Sequence, residues 1–197
     1  IPLRLVGSEM CIRDSHNRVK LNHTDKTGFK EAKIAAKSAD VVIMVLGEEG
    51  FQSGEGRSRT ELGLPGLQQE LLEEVFKVNK NIVLVLMNGR PLNLTWADQN
   101  IPTIVEAWHL GTQSGNAIAE VLYGDYNPSG KLTMSFPRNV GQVPIYYNYK
   151  KTGRPGASSA EVTRSTYADV ENSPLYPFGY GLSLSLIHIS EPTRRRG

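Results

Sequence analysis

The chain has 197 residues, 39% of them apolar, which suits one domain with a buried core. Its net charge is +2, and Arg194, Arg195 and Arg196 against Glu191 supply all of it, so the remainder is neutral and gives no argument for a nucleic-acid partner. A single cysteine excludes a disulfide framework and a CxxC redox motif, and no run of about 18 apolar residues exists to cross a membrane.

Taken in chain order, residues 1–15 (IPLRLVGSEMCIRDS) read like translated sequencing-adaptor sequence, as do residues 184–197 (LSLIHISEPTRRRG). Both segments are therefore set aside from the domain, which is placed at 16–183. Cys11 goes with the first segment, which leaves the domain without a cysteine nucleophile.

Phe29, Ala32, Ala35, Ala36 and Ala39 recur at helical spacing behind Thr27, a fair N-cap. VVIMVLG (41–47) is a continuous, β-branched apolar run and predicts a strand buried on both faces. A polar, glycine-rich loop occupies 48–63. Pro65 then suits the first turn of a helix whose apolar stripe is Leu67, Leu71, Leu72, Val75 and Phe76. IVLVLM (82–87) predicts a second buried strand, stopped by Asn88-Gly89, and 103–109 a third, weaker one. A short helix carries Ala117, Ile118, Val121 and Leu122 and closes at Gly124. Residues 131–136 alternate like a strand up to Pro137. Beyond it the chain reads as irregular, with Tyr146, Tyr147 and Tyr149 clustered and 151–160 a surface loop. This alternation predicts an α/β fold, a mainly parallel sheet sandwiched by helices. In such sheets ligands sit beyond the carboxyl ends of the strands, where 48–63 and 88–100 emerge.

The loop at 48–63 holds the residues with chemistry to offer. Within 47–59, Glu48, Glu49 and Glu55 bring three carboxylates, and Arg57 and Arg59 two guanidiniums. Glu55 lies between Gly54 and Gly56, a permissive backbone that can carry a carboxylate to a substrate. A solvated loop with locally paired charges explains the same residues. The rival signals are weaker. Gly124 to Lys131 resembles a phosphate-binding loop but has five residues between its glycines and Leu132 where a magnesium-binding hydroxyl belongs. It reads instead as a turn around Asn127-Pro128-Ser129-Gly130. No GxGxxG follows a strand. His16, His23, His109 and His188 have no zinc-ligand spacing. Trp96 and Trp108 could stack on a sugar ring or simply pack.

Six blocks, taken together, are more specific than any of these features: SADVVIMVLGE (38–48), SRTELGLPGLQQELL (58–72), NIVLVLMNGRPL (81–92), GNAIAEVLYGDYNPSGKLTMSFPR (115–138), TGRP (152–155) and YPFGYGLS (176–183). In this order they resemble the C-terminal α/β sandwich domain of family 3 glycoside hydrolases, β-glucosidases of bacterial periplasmic type. The resemblance implies a retaining exo-β-glycosidase with a split active site. An aspartate nucleophile sits on a preceding barrel domain, and the general acid/base is a glutamate on the domain seen here. Glu55-Gly56-Arg57-Ser58-Arg59 matches the family's acid/base segment, which favours Glu55 over Glu48 and Glu49. A neighbouring arginine would lower the pKa of a general acid, so Arg57 and Arg59 are expected to point away, toward Glu61 or the barrel.

The partners implied are an oligosaccharide or an aryl or alkyl β-glucoside, and the barrel domain of the same polypeptide. No cofactor or metal is implied, and the location is periplasmic or secreted. The barrel and the domain's opening strand are missing from the matched pattern, so the fold is expected to be incomplete at its N-terminus and the chain inactive alone. A β-xylosidase or β-N-acetylglucosaminidase of the same family, a non-catalytic α/β module that binds ligand or protein, and a flavodoxin-like or nucleotide-binding protein are the alternatives.

Overall fold

A computed structural model describes residues 3–6, 25–148 and 167–182. The chain divides into two compact units. The first comprises residues 1–110 and 137–143, the second 111–136 and 144–197.

The first unit is built on a four-stranded, all-parallel sheet with its strands in sequence order: β1 (Leu3–Val6), β2 (Val41–Gly47), β3 (Ile82–Met87) and β4 (Thr103–Glu106). Helices α1 (Phe29–Lys37), α2 (Gln68–Val78) and α3 (Thr95–Asn100) fill the three crossovers. This is the α/β pattern that the alternation predicts. Val42, Met44 and Leu46 pair in register with Ile82, Leu84 and Leu86, and this layer is the buried heart of the unit. α2 covers the core with Leu71, Leu72 and Val75, and α1 adds Phe29, Ala32 and Ala36. Lys33 on α1 reaches Glu74 on α2 at 2.6 Å. Phe76 meets Trp96 edge to face at 5.5 Å, so Trp96 serves packing rather than a sugar platform.

Several local expectations change. Thr27 is not the N-cap of α1. Gly28 takes that place without a side-chain cap, while the Thr27 N–H bonds to the Asp25 side chain. α2 begins at Gln68, three residues after Pro65, because a turn from Pro65 to Gln68 comes first. β4 stops at Glu106, short of residue 109, because Trp108 adopts a left-handed φ of 52° and breaks the extended backbone. β1 comes from the segment set aside as foreign and adds to the edge of β2, from Leu3 beside Val41 to Val6 beside Met44.

The second unit holds α4 (Ser114–Tyr123), which closes at Gly124 with φ 84°, as its glycine predicts. The strand expected at 131–136 does not form. Only an isolated antiparallel bridge joins Phe136 to Tyr176. Leu132 pairs further along with Gly179 and Tyr180, but the intervening Phe178 N–H goes to the Ser135 hydroxyl at 3.2 Å instead of a backbone carbonyl, so the pairing is interrupted. The Lys131 ammonium donates to the Gly181 carbonyl, which uses it structurally rather than for a phosphate. Tyr147 lies 5.2 Å from Phe178, and Tyr149 and 151–160 fall outside the described residues.

Candidate active site

β2 ends in a glycine for a steric reason. Gly47 has φ 142°, and a Cβ there would stand 2.0 Å from the Met87 carbonyl oxygen. The Gln68 side chain brackets the same residue, accepting from its N–H at 2.8 Å and donating to its carbonyl at 2.9 Å. The chain is thereby turned so that Glu48 faces inward.

Glu48 has no exposed side-chain surface. Its Oε1 lies 2.7 Å from Arg59 Nη1 and 2.7 Å from Arg90 Nε, and its Oε2 accepts from the Gly89 N–H at 3.2 Å. The Arg90 Nε contact is close but too poorly aligned for a hydrogen bond, so it is ionic in character. Arg59 also donates to the Gly63 carbonyl at 3.1 Å. A buried carboxylate held by two guanidiniums anchors structure, and removing one partner of such a pair costs about 3–5 kcal/mol.

Arg90 continues outward. Its Nη2 donates to the carbonyls of Gln52, at 2.5 Å, and Arg57, at 2.9 Å. The loop makes two turns, one leading to Gln52 and one between Gln52 and Arg57. Glu49 and Gln52 form the first, with the Gln52 N–H bonded to the Glu49 carbonyl at 2.8 Å. The second is closed by the Arg57 N–H on the Gly54 carbonyl at 3.1 Å, with Glu55 and Gly56 in the middle. Gly56 has φ 70° and fills the turn position that requires a positive φ. Glu55 is exposed at the apex and has no hydrogen bond or ion pair among the described residues. Arg57 lies over the Phe51 ring, 4.1 Å from its centroid. Both arginines thus point away from Glu55, though to Phe51 and Glu48 rather than to Glu61. Glu49 is exposed on the first turn.

A second carboxylate stands at the end of β4. Glu106 accepts from the Trp108 N–H at 3.0 Å and from the Asn88 amide at 3.4 Å. Burial pushes its carboxyl up to about 7, against the pull of those two hydrogen bonds. Asn88 is fully buried. Its amide nitrogen also donates to the Arg90 carbonyl at 2.8 Å, and its Oδ1 has no hydrogen-bond partner among the described residues. The sequence reading missed Arg90, Asn88 and Glu106. The available signal was position, since Glu106 ends β4 and Asn88 and Arg90 lie just past the end of β3, on the carboxyl side of a parallel sheet. Among the described residues, no group of three or more His, Cys, Asp or Glu is arranged to hold a metal, and no helix is long and apolar enough to cross a membrane.

Comparison with known proteins agrees with the blocks seen in the sequence. Residues 8–184 match the model of the glycosyl hydrolase family 3 C-terminal domain. The periplasmic β-glucosidase of Salmonella typhimurium is 51% identical over 164 residues, 83% of this chain and 21% of that protein. The β-xylosidase of Formosa agariphila is 44% identical over 167 residues, 85% of this chain and 22% of that protein. The chain therefore spans about a fifth of these relatives' length. Among solved structures, the β-glucosidase of Listeria innocua in complex with glucose matches with a TM-score of 0.78 at 39% identity, over 84% of this chain and 23% of that one. A β-glucosidase from Kluyveromyces marxianus in complex with glucose matches with a TM-score of 0.65 at 32% identity, over 82% and 20%.

Proposed function

Because the chain belongs to glycosyl hydrolase family 3, as its C-terminal domain, we propose that the intact protein is a retaining exo-β-glycosidase, a β-glucosidase acting on terminal β-D-glucosyl residues. In this reading the domain comprises 16–183 and contributes the acid/base loop, with Glu55 as proton donor. The preceding barrel of the same polypeptide contributes the nucleophile. The periplasmic relative supports a periplasmic location for the intact protein, which osmotic-shock fractionation checks; retention with the cytoplasm would overturn it.

One observation carries the assignment. Of the three candidate carboxylates, Glu48 is spent on Arg59 and Arg90 and Glu49 is exposed on the preceding turn, whereas Glu55 stands exposed and unpaired at a glycine-flanked apex. Retaining hydrolysis needs two carboxyl groups about 5–5.5 Å apart across the scissile bond. One attacks the anomeric carbon, and the other protonates the leaving oxygen and then activates water. A carboxylate at a loop apex can meet a substrate seated on another domain, which a buried, doubly paired one cannot do.

The test uses Glu55→Gln in the full-length enzyme, with Glu48→Gln and Glu49→Gln as controls. Loss of the proton donor costs on the order of 10²–10⁴ in rate where the leaving group needs protonation. An acidic phenol needs little help, so its glycosyl-enzyme accumulates, and azide rescues the second step as a β-glycosyl azide. Equal losses for good and poor leaving groups, without azide rescue, would remove Glu55 from the role. The Formosa relative supports a second reading, β-xylosidase, which a preference for aryl β-xylosides over aryl β-glucosides would establish.

A further inference from the structure

We propose that Arg90 is a positioning residue for the acid/base loop, holding both limbs of the Glu55 turn to the end of the sheet. The inference rests on Glu55 being the proton donor. One guanidinium nitrogen donates to the carbonyls of Gln52 and Arg57, which flank the turn that carries Glu55. The same side chain is fixed at its Nε by Glu48, the first residue after β2. Arg90 itself follows Asn88 and Gly89 at the end of β3. The loop is thus stapled at its waist to two strand ends, and only the apex beyond the staple is left without such ties. The approach is close elsewhere too. A Cβ on Gly89 would fall 1.9 Å from the Ser53 hydroxyl oxygen, so the loop lies directly on the backbone beside Arg90.

The geometry needs arginine. A planar fork can serve two carbonyls and a carboxylate at once, whereas an ammonium offers a point charge on a flexible stem. Misplacing a catalytic group by about 1 Å costs about 10²-fold in rate, so a slack loop should weaken proton donation in particular.

The experiment compares Arg90→Lys and Arg90→Met with Glu55→Gln in the full-length enzyme, over aryl β-glucosides of graded leaving-group acidity. Arg90→Met should lose about 10²-fold in kcat/KM on poor leaving groups, Arg90→Lys about 10-fold, and both much less on an acidic phenol. Arg90→Lys keeps a cation beside Glu48, so it decides the matter if Arg90→Met does not fold. A loss equal across leaving groups, or no loss in Arg90→Lys, would overturn the inference. If Glu55→Gln itself shows the flat pattern, the assignment of Glu55 fails and the Arg90 inference with it. If Glu55→Gln shows leaving-group dependence while Arg90→Lys is flat, only the Arg90 inference falls.

Discussion

Glu106 shows how a single carboxylate changes character at a strand end. Burial raises its pKa from 4.5 to about 7, and the Trp108 N–H and the Asn88 amide only partly resist. The folded state therefore binds the proton more tightly than the unfolded chain does. The stability this contributes is fully present below about pH 4.5 and is lost as pH rises through about 7. Glu106→Gln, which keeps an acceptor for the Trp108 N–H, should remove that slope. Thermal midpoints of the full-length protein measured between about pH 5 and pH 8 check this: wild type should fall more than the variant. Parallel curves would mean that the carboxyl is solvated. A group that is neutral near pH 7 can also donate a hydrogen bond, but its partners here are its own backbone neighbour and a buried amide, and it lies off the glycine-flanked loop. Glu55 therefore remains the proposed proton donor.

At the scale of elements, the buried strands and the α2 stripe were legible because apolar periodicity reports burial directly. VVIMVLG and IVLVLM became β2 and β3 with the bounds their runs mark. Residues 131–136 show where periodicity is insufficient: a strand also needs an unbroken backbone ladder, and here the Phe178 N–H goes to the Ser135 side chain. β1 poses the converse question. An open strand edge accepts almost any extended segment, since backbone groups supply the bonds. If residues 1–15 are foreign to the domain, deleting them should leave the thermal midpoint of the chain, followed by far-UV circular dichroism, unchanged. A marked loss would instead make β1 a native part of the sheet.

At the scale of the whole molecule, the chain covers about a fifth of its relatives, and the proposed nucleophile lies outside it. One carboxylate cannot run a double displacement. The purified chain should therefore release no phenol from an aryl β-glucoside above the buffer blank, while the full-length protein does. Turnover by the chain alone would refute a site divided between two domains.

The linear sequence determined the fold class and the family. Those rest on local features: apolar runs, glycines at fixed places, and blocks of adjoining residues. Only the tertiary structure shows that Glu48 is buried and ion-paired while Glu55 is exposed. The glycines around Glu55 and its match to the family's segment favour it in the sequence, but the two side chains are chemically identical and share one polar loop, so their burial is not legible locally. The distinction lies in partners distant along the chain. Arg59 lies 11 residues from Glu48, and the Gly89 N–H lies 41 residues from it. Parallel pairing of β2 with β3 brings the second to the first, and with it Arg90. Burial and ion pairing are properties of that juxtaposition, and they take Glu48 out of solvent while Glu55 stays exposed at the apex of the loop.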